Sequence, residues 1–373
     1  MILQGLCFTL SFSSHTANQN FPSLSINPKH NMSMRRFLAN SIYKFPCRRS
    51  SASSCSLPFP LMMRNGNQLV TYHHSPRLFS TKILSSSNAS EFDFNAYSLD
   101  KINSINQALD ESVPLKEPLK VHEAMRYSLL SKCTRIFPLL CIASCELVGG
   151  TESTVMPVAC AMEMFVAGWL VADDLPCMDN DDFRRGKLST HKVFGESMAI
   201  LVSYSLFALA FEHIAKVTKL GVPSANIVRV LSESARLLIG AEGVAGGQAA
   251  DMDAQGKSGI GIEQVEYIYL HKSSAVFEGS AVAGAIIGGA SEEEINRLRK
   301  YSKYAGLIFQ IKDDILDEEN DLIADKLTYP KLIGKEKSMK VLEKLIGEAE
   351  DQLEGFDPEK AAPLKALVHY IAN

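Results

Sequence analysis

From about Phe92 onward, apolar residues recur at intervals of three and four positions, separated by polar residues. This spacing places the apolar side chains on one face of an α-helix, whereas strands would show alternation with a period of two. Such alternation is scarce. The helical pattern covers 96–113, 120–131, 155–174, 224–243, 262–289, 292–320 and 338–356. The sequence therefore predicts an all-α fold in a single domain over residues 91–373.

Other fold classes find no support in this pattern. Strands and helices do not alternate, and no strand precedes the Gly-Gly pairs, which excludes a dinucleotide-binding fold. No uncharged apolar run reaches the ~18 to 20 residues that a membrane span requires, so we expect no transmembrane segment. The longest such run, 198–211, lies between Glu196 and Glu212 and is predicted to be a buried core helix.

Residues 1–90 differ from the rest of the chain in composition. They are rich in serine, contain nine lysines and arginines and have no acidic residue, which is typical of an organelle transit peptide. We expect a disordered transit peptide that directs the chain to the plastid stroma. The mitochondrion is the second destination, and a basic tail that binds acidic surfaces is the alternative role. Because the whole chain has a net charge of −4, the remainder is acidic, which argues against nucleic-acid binding.

The cysteines beyond residue 90 give no sign of a zinc site. They are Cys133, Cys141, Cys145, Cys160 and Cys177. None forms a C-x-x-C pair or a cluster with histidine, which structural zinc sites require. Cys141 and Cys145 are one helical turn apart, and this spacing is compatible with core packing or with a surface for another subunit.

Two groups of aspartates each follow a strongly apolar run. The first spans 173–182 after FVAGWLV, and the second is DDILD at 313–317 after YAGLIF. Asp313 and Asp317 are four residues apart and share one side of a helix. Either group alone is compatible with a solvated acidic face. The apolar runs, however, direct both groups toward the interior, where crowded carboxylates repel one another.

A bound divalent cation removes this repulsion. Oxygen ligands without histidine or cysteine select Mg²⁺ or Mn²⁺ over zinc. Mg²⁺ commonly shares its coordination with substrate phosphates, and basic side chains then complete the phosphate site. We expect that role for Arg184, Arg185, Lys272 and Lys326. The sequence thus predicts a site that binds a diphosphate together with Mg²⁺.

Five stretches carry a resemblance to a known family. They are DDLPCMDNDDFRRGK, GGQAADM, LHKSSAVFEGS, FQIKDDILD and ADKLTYPKLIG. In this order they resemble the trans-isoprenyl diphosphate synthases, especially the plant plastid geranylgeranyl diphosphate synthases, from about Phe92 to the C-terminus. The resemblance implies an isoprenoid synthase-type helical bundle around a central cavity, with the two aspartate motifs facing each other across its mouth.

The resemblance also implies the reaction and the roles of individual residues. Mg²⁺ ions draw off the diphosphate of an allylic substrate, and the carbocation alkylates isopentenyl diphosphate with loss of a proton. The product is geranyl, farnesyl or geranylgeranyl diphosphate. The implied metal ligands are Asp173, Asp179 and Asp313, supported by Asp174, Asp314 and Asp317. The implied contacts to the allylic diphosphate are Arg184, Lys272, Ser273, Gln310 and Lys326, and those to isopentenyl diphosphate are Arg185 and Arg135.

The isopentenyl side departs from the family pattern. Where the family has Gly-Gly-Lys-Arg-x-Arg-Pro, this chain reads SKCTRIFP at 131–138. Thr134 and Phe137 stand where two cations are expected, and Val166 stands where a histidine is expected. Because each charge-assisted hydrogen bond contributes roughly 1.5 to 3 kcal/mol, their loss weakens the binding of isopentenyl diphosphate by several powers of ten.

These departures leave two functional hypotheses open. The first is an active prenyltransferase that works as a homodimer or as a heterodimer with a homologue. The second is a catalytically weak regulatory subunit that pairs with an active geranylgeranyl diphosphate synthase. A terpene synthase that only ionises and cyclises its substrate is disfavoured, because the second motif is DDILD.

Trp169 bears on the length of the product. It lies four residues before Asp173, hence on the same helix face and ~6 Å deeper. If the indole faces the cavity, it lies at a depth that a prenyl tail reaches after about one isoprene unit. The product would then be geranyl diphosphate. The alternative is that Trp169 packs between helices beside Gly168.

Overall fold

The computed structural model describes residues 92–254, 257, 259–316 and 328–373. The predicted transit peptide at 1–90 lies outside the described residues, as do Asp317 and Lys326.

Helices dominate the described chain, as the periodicity predicts. The helices are α1 (Phe94–Ser112), α2 (Leu119–Leu129), α3 (Ile136–Leu147), α4 (Glu152–Asp173), α5 (Thr190–Phe194), α6 (Glu196–Lys216), α7 (Ser224–Ser234), α8 (Val244–Ala254), α9 (Ile262–His271), α10 (Ser273–Gly288), α11 (Glu292–Leu316), α12 (Tyr329–Ile333), α13 (Lys335–Asp351) and α14 (Pro358–Ala372). One short antiparallel hairpin, β1 (Phe183–Arg184) and β2 (Lys187–Leu188), follows the first aspartate group. The predicted all-α fold is confirmed.

Two helices, α4 and α10, form the centre of the bundle. Both are apolar on nearly all sides and buried along most of their length, which is typical of a helix surrounded by other helices. Helix α4 packs against α3 and α6, and α10 packs against α3 and α11. Helix α4 ends at the first aspartate group and α10 begins at Ser273, so the two central helices carry the predicted site residues into the core.

Glycines allow α3 and α10 to approach each other closely. A Cβ atom on Gly284 would lie 2.0 Å from the carbonyl oxygen of Cys141, and one on Gly288 would lie 2.8 Å from that of Cys145. Both cysteines are fully buried in this contact, and burial raises the pKa of the Cys141 thiol well above its usual value. In the described chain the cysteine pair therefore packs in the core and forms no accessible surface.

Three predicted segments differ in detail from the structure. The segment 262–289 is two helices, because Lys272 interrupts it with φ −87° and ψ −65°. The segment 224–243 leaves the α-helix after Ser234 and continues as a π-helical turn, Ala235–Ile239. The run 198–211 is predicted to be a buried core helix, but the helix that contains it exposes apolar side chains. These are Ile200, Leu201 and Tyr204, with 42%, 51% and 67% of their surface exposed.

Two described helices are long and apolar enough to cross a membrane when judged by length and composition alone. They are Glu152–Asp173, whose apolar window is 78% buried inside the fold, and Glu196–Leu220, whose window is 39% buried. The first is the central helix α4, which packs against other helices and carries the buried Glu163. The predicted absence of a membrane span stays a prediction.

Candidate active site

The first aspartate group folds back on the end of α4. The backbone N–H of Asp179 donates to the carbonyl oxygen of Asp173 at 2.8 Å, and that of Asp181 donates to the carbonyl oxygen of Asp174 at 3.1 Å. Asn180, between them, has a positive φ of 53°, a conformation that asparagine tolerates better than most residues. The turn brings four aspartate side chains together, and each is at most 1% exposed.

Asp173 is a buried carboxylate among other charged side chains. Neither of its oxygens meets a hydrogen-bond donor within the described residues. Burial raises its pKa well above the usual range, Lys272 and Arg184 oppose this rise, and the neighbouring Asp179 adds to it. Because a buried charge is stable only when it is paired or binds a metal, the environment of Asp173 fits a divalent cation.

Arg184 holds the neighbouring carboxylates. Its Nε and Nη2 donate to Oδ1 of Asp174 at 2.7 and 2.5 Å, and Nη2 also donates to Oδ2 of Asp181 at 2.7 Å. Burial raises the pKa of Asp174 to about 6, although the Arg184 guanidinium opposes the shift. Arg184 is therefore fixed at the first motif by two acids, and sequence reasoning missed the part played by Asp181.

Lys272 lies at the junction of α9 and α10 and faces the first motif. Its Nζ donates to Oδ2 of Asp251 at 2.7 Å. Burial lowers the pKa of Lys272, but the carboxylates of Asp251, Asp173 and Asp179 outweigh burial and raise it above the usual value. A Cβ on Gly247 would lie 2.3 Å from the backbone nitrogen of Lys272. The glycine in the GGQAADM stretch thus lets α8 approach closely enough for Asp251 to reach Lys272.

The second aspartate group joins the same junction through a chain of hydrogen bonds. Ser273 Oγ donates to Oε1 of Gln310 at 2.9 Å, and Nε2 of Gln310 donates to Oδ1 of Asp314 at 3.3 Å. The hydroxyl of Tyr269 donates to the other oxygen of Asp314. Asp313 is half-buried on α11. Because Ser273 adjoins Lys272, both aspartate groups converge on the start of α10.

Among the described residues, no set of three or more histidine, cysteine, aspartate or glutamate side chains has the geometry of a formed metal site. Asp317, one of the predicted supporting residues, lies outside that part of the chain. Prenyl synthases of the kind that the motifs resemble generally use Mg²⁺. Within the described residues, the two buried oxygens of Asp173 that lack a hydrogen-bond donor fit such an ion.

The two arginines predicted for isopentenyl diphosphate share one buried acid. Nη1 of Arg135 and Nη2 of Arg185 both donate to Oε1 of Glu163, at 2.6 and 2.8 Å. Burial raises the pKa of Glu163, but the two guanidiniums outweigh it and lower the pKa below its usual value. Arg135 also donates to Asn106 at 2.9 Å and to the carbonyl oxygen of Ser131 at 3.2 Å. Three of its N–H groups are therefore committed to protein acceptors.

The remaining positions on the isopentenyl side carry little charge. Phe137 is buried in the core, with its ring centroid 5.1 Å from that of Phe277. Val166 is buried and lines an apolar pocket. Nε of Arg185 is buried and meets no hydrogen-bond partner in the part of the chain that the structure describes. Arg185 is thus the cation on this side that retains a free buried donor.

An apolar pocket opens below Lys272 and Ser273. The other residues that line it are Phe165, Val166, Trp169, Leu170, Leu238, Val244 and Val276. Trp169 also packs against Phe207 at 5.8 Å between ring centroids, and its indole N–H donates to the carbonyl oxygen of Leu238. Both interpretations of Trp169 therefore hold in part: it lines the pocket, and it packs between helices.

Residues 118–354 match the model of the polyprenyl synthetase family. The chain belongs to the polyprenyl synthetase family. Among its relatives, a chloroplastic geranylfarnesyl diphosphate synthase of Leucosceptrum canum is 59% identical over 295 residues, which are 76% of this chain and 80% of that protein. The large subunit 1 of a heterodimeric chloroplastic geranylgeranyl pyrophosphate synthase of Arabidopsis thaliana is 49% identical over 344 residues, which are 87% of this chain and 92% of that protein.

Solved structures of polyprenyl synthetases have the same fold. The apo crystal structure of a farnesyl/geranylfarnesyl diphosphate synthase from Zymomonas mobilis matches with a TM-score of 0.69 and 31% identity, covering 75% of this chain and 99% of that one. The resemblance inferred from the motifs is thereby confirmed. This polyprenyl synthetase is a trans-prenyltransferase.

Proposed function

We propose that this prenyltransferase condenses an allylic diphosphate with isopentenyl diphosphate in the presence of Mg²⁺, which Mn²⁺ can replace. The observation that carries the proposal is Asp173. Its two buried oxygens lack a donor from the described chain, and Asp179 and Lys272 act on it electrostatically. Lys272 also lines the apolar pocket, and an acid and a base beside such a pocket suit a metal-bound diphosphate with a hydrocarbon tail.

We assign the metal-binding role to Asp173, Asp179 and Asp313. Asp174 and Asp314 support them, because their oxygens already accept hydrogen bonds from Arg184 and from Tyr269 and Gln310. Asp317 has the same supporting role by resemblance to the family. A Mg²⁺ ion held by these residues would neutralise charge on the diphosphate.

The chain's own cations assist the loss of the allylic diphosphate. The carbon–oxygen bond breaks, and its electron pair leaves with the diphosphate, toward which Lys272 and Arg184 supply positive charge. By resemblance to the family, the allylic diphosphate is also bound by Ser273, Gln310 and Lys326. The tail and the new carbocation lie in the apolar pocket, which excludes water. The double bond of isopentenyl diphosphate then forms the new carbon–carbon bond, and a proton is lost.

On the isopentenyl side, we assign the main contact to Arg185, which has a buried donor to spare. Arg135 acts mainly by holding Glu163, since three of its N–H groups have protein acceptors. This arrangement favours weak binding of isopentenyl diphosphate. It therefore also supports the second candidate function, a weakly active subunit that regulates an active geranylgeranyl diphosphate synthase.

We further propose that the chain forms a dimer through α6, with a second copy or with a homologous prenyltransferase. Tyr204 lies four residues after Ile200 and three after Leu201, so the three side chains form one exposed apolar stripe. Exposed apolar patches of this kind mark interaction surfaces. One relative is named as the large subunit of a heterodimer, which supports a pairing of this type.

We place the protein in the plastid, in the stroma, with residues 1–90 as the transit peptide. The composition of that segment supports import. The relatives from Leucosceptrum canum and Catharanthus roseus are both named chloroplastic.

An assay with labelled isopentenyl diphosphate tests the proposed function. The chain without residues 1–90 is incubated with Mg²⁺ and each allylic diphosphate, alone and mixed with an active homologue. Labelled product from the chain alone supports the prenyltransferase. Product only in the mixture, with a rate or length that differs from that of the homologue alone, supports the regulatory subunit. If the chain neither forms product nor changes that of the homologue, both proposals fail.

A further inference from the structure

Leu238, which lines the apolar pocket together with residues of α4, lies in a π-helical turn. The turn Ala235–Ile239 closes with a hydrogen bond from the backbone N–H of Gly240 to the carbonyl oxygen of Ala235, at 2.8 Å. Such turns are rare and occur often at functional sites. Here the turn presents the carbonyl oxygen of Leu238 to the indole N–H of Trp169. Trp169 on α4 thus holds the backbone of Leu238 on the turn, and both residues line the pocket.

The side chain of Leu238 is fixed from the other side by α10. Leu238 is buried and lines the pocket. A Cβ on Gly279 of α10 would lie 2.8 Å from Cδ2 of Leu238, so the absence of a side chain at Gly279 provides the space that Leu238 fills. Leu238 therefore has little freedom to move away when a longer chain enters, because well-packed interiors resist displacement.

We propose that Leu238 is a specificity-determining residue that limits the length of the prenyl chain from the side of the π-helical turn. Trp169 then acts twice, as a wall through its ring and as the donor that holds Leu238 in place. The inference rests on the proposed function, since it assigns the pocket to a prenyl tail. It predicts a preference for tails of five and ten carbons over those of 15 and 20.

Binding of inert substrate analogues tests this inference directly. Trp169 is the single tryptophan of the chain, so its fluorescence reports on the pocket itself. The full-length protein with Mg²⁺ is titrated with prenyl thiolodiphosphates of 5, 10, 15 and 20 carbons. In Leu238→Ala we expect the affinity for the two longer analogues to rise at least about tenfold relative to the C5 analogue, because the truncation opens the pocket. The matched control is Leu237→Ala, which removes an equally buried side chain that does not line the pocket.

A second pair of variants guards against a failure to fold and separates the two roles of Trp169. Leu238→Val makes a smaller cavity and is expected to shift the preference in the same direction by a smaller factor. Replacing Trp169 by 3-benzothienylalanine keeps the shape of the ring but puts sulfur in place of the N–H donor. Calorimetric titration is expected to show that this variant also gains affinity for the longer analogues.

The outcomes distinguish this inference from the proposed function. If no analogue of any length binds in a Mg²⁺-dependent way, the assignment of the site itself is wrong. If analogues bind but Leu238→Ala and Leu238→Val keep the chain-length preference of the unaltered protein, Leu238 does not limit length. If the benzothienyl variant keeps that preference, the indole N–H has no positioning role.

Discussion

Asp173 shows how a single residue makes the stability of this protein depend on pH. Folding buries its carboxylate without a donor from the described chain, and its pKa lies above the value in an unfolded chain. The folded protein therefore holds a proton there more readily than the unfolded one does. The free energy of unfolding of the metal-free protein falls as the pH rises from the unfolded pKa to the folded pKa, and the penalty is complete above the latter.

Asp173→Asn removes this penalty. We expect the metal-free variant to melt at a higher temperature than the unaltered protein at pH 8, because an aspartate in the unfolded chain is fully ionised there and burial opposes ionisation in the folded protein. The difference should shrink toward pH 4, where the carboxyl group of Asp173 in the folded unaltered protein is protonated and therefore neutral, like the amide of the variant. For a chain of this size each kcal/mol corresponds to roughly 2 to 4 °C. Thermal melts at a series of pH values, with excess chelator, measure the effect, and a variant less stable at pH 8 would disprove it.

Tyr269 is a positioning residue that the sequence did not reveal. Its hydroxyl donates to Asp314, which supports the proposed metal ligand Asp313. Tyr269→Phe should weaken the apparent Mg²⁺ affinity about 10- to 100-fold, as is typical when a support of a ligand is lost. The KM for isopentenyl diphosphate should change little. Tyr267→Phe, an exposed tyrosine on the same helix, is the control, and an equal effect of both variants would contradict the assignment.

At the scale of elements, the contact between α3 and α10 limits what the core tolerates. Gly284→Ala places a methyl group 2.0 Å from the carbonyl oxygen of Cys141, so the two helices must separate. Overpacking of this kind lowers the free energy of unfolding by about 1 to 3 kcal/mol. Gly347→Ala is the control, because no atom lies within 4 Å of its added Cβ and alanine favours helix by about 0.5 to 1 kcal/mol. In denaturant melts the free energy of unfolding should therefore fall in Gly284→Ala and rise in Gly347→Ala.

The elements themselves could largely be predicted from the sequence, because helical periodicity is a local signal. The break at Lys272 could not, since it accompanies a close approach of Gly247 from another helix. The aspartate groups could likewise be found because each is contiguous. Their partners Asp251 and Tyr269 lie on other helices, and only the fold brings them close. Glu163 did carry a signal, an acid inside an apolar helix, and could have been recognised as the partner of buried cations.

At the scale of the whole molecule, the apolar stripe on α6 predicts self-association or pairing with a homologue. We expect the full-length chain, alone or with its partner, to sediment above the 41.0 kDa of a single copy. The double variant Leu201→Glu, Tyr204→Glu should reduce that mass to the monomer, because charge in an apolar contact is costly. Leu115→Glu, which alters an exposed leucine elsewhere, should have no effect. A monomeric unaltered protein in both preparations would refute the interface.

The proposed function requires a metal ion and a diphosphate to bind together at the first aspartate motif. Calorimetric titration of the full-length protein with dimethylallyl thiolodiphosphate, with and without Mg²⁺, measures this most directly. We predict binding only when Mg²⁺ is present, and a loss of affinity of about 100-fold or more in Asp173→Asn because a direct metal ligand is removed. Asp182→Asn, at an exposed position of the same turn, should bind normally. Equal binding without Mg²⁺, or unchanged affinity in Asp173→Asn, would contradict the account.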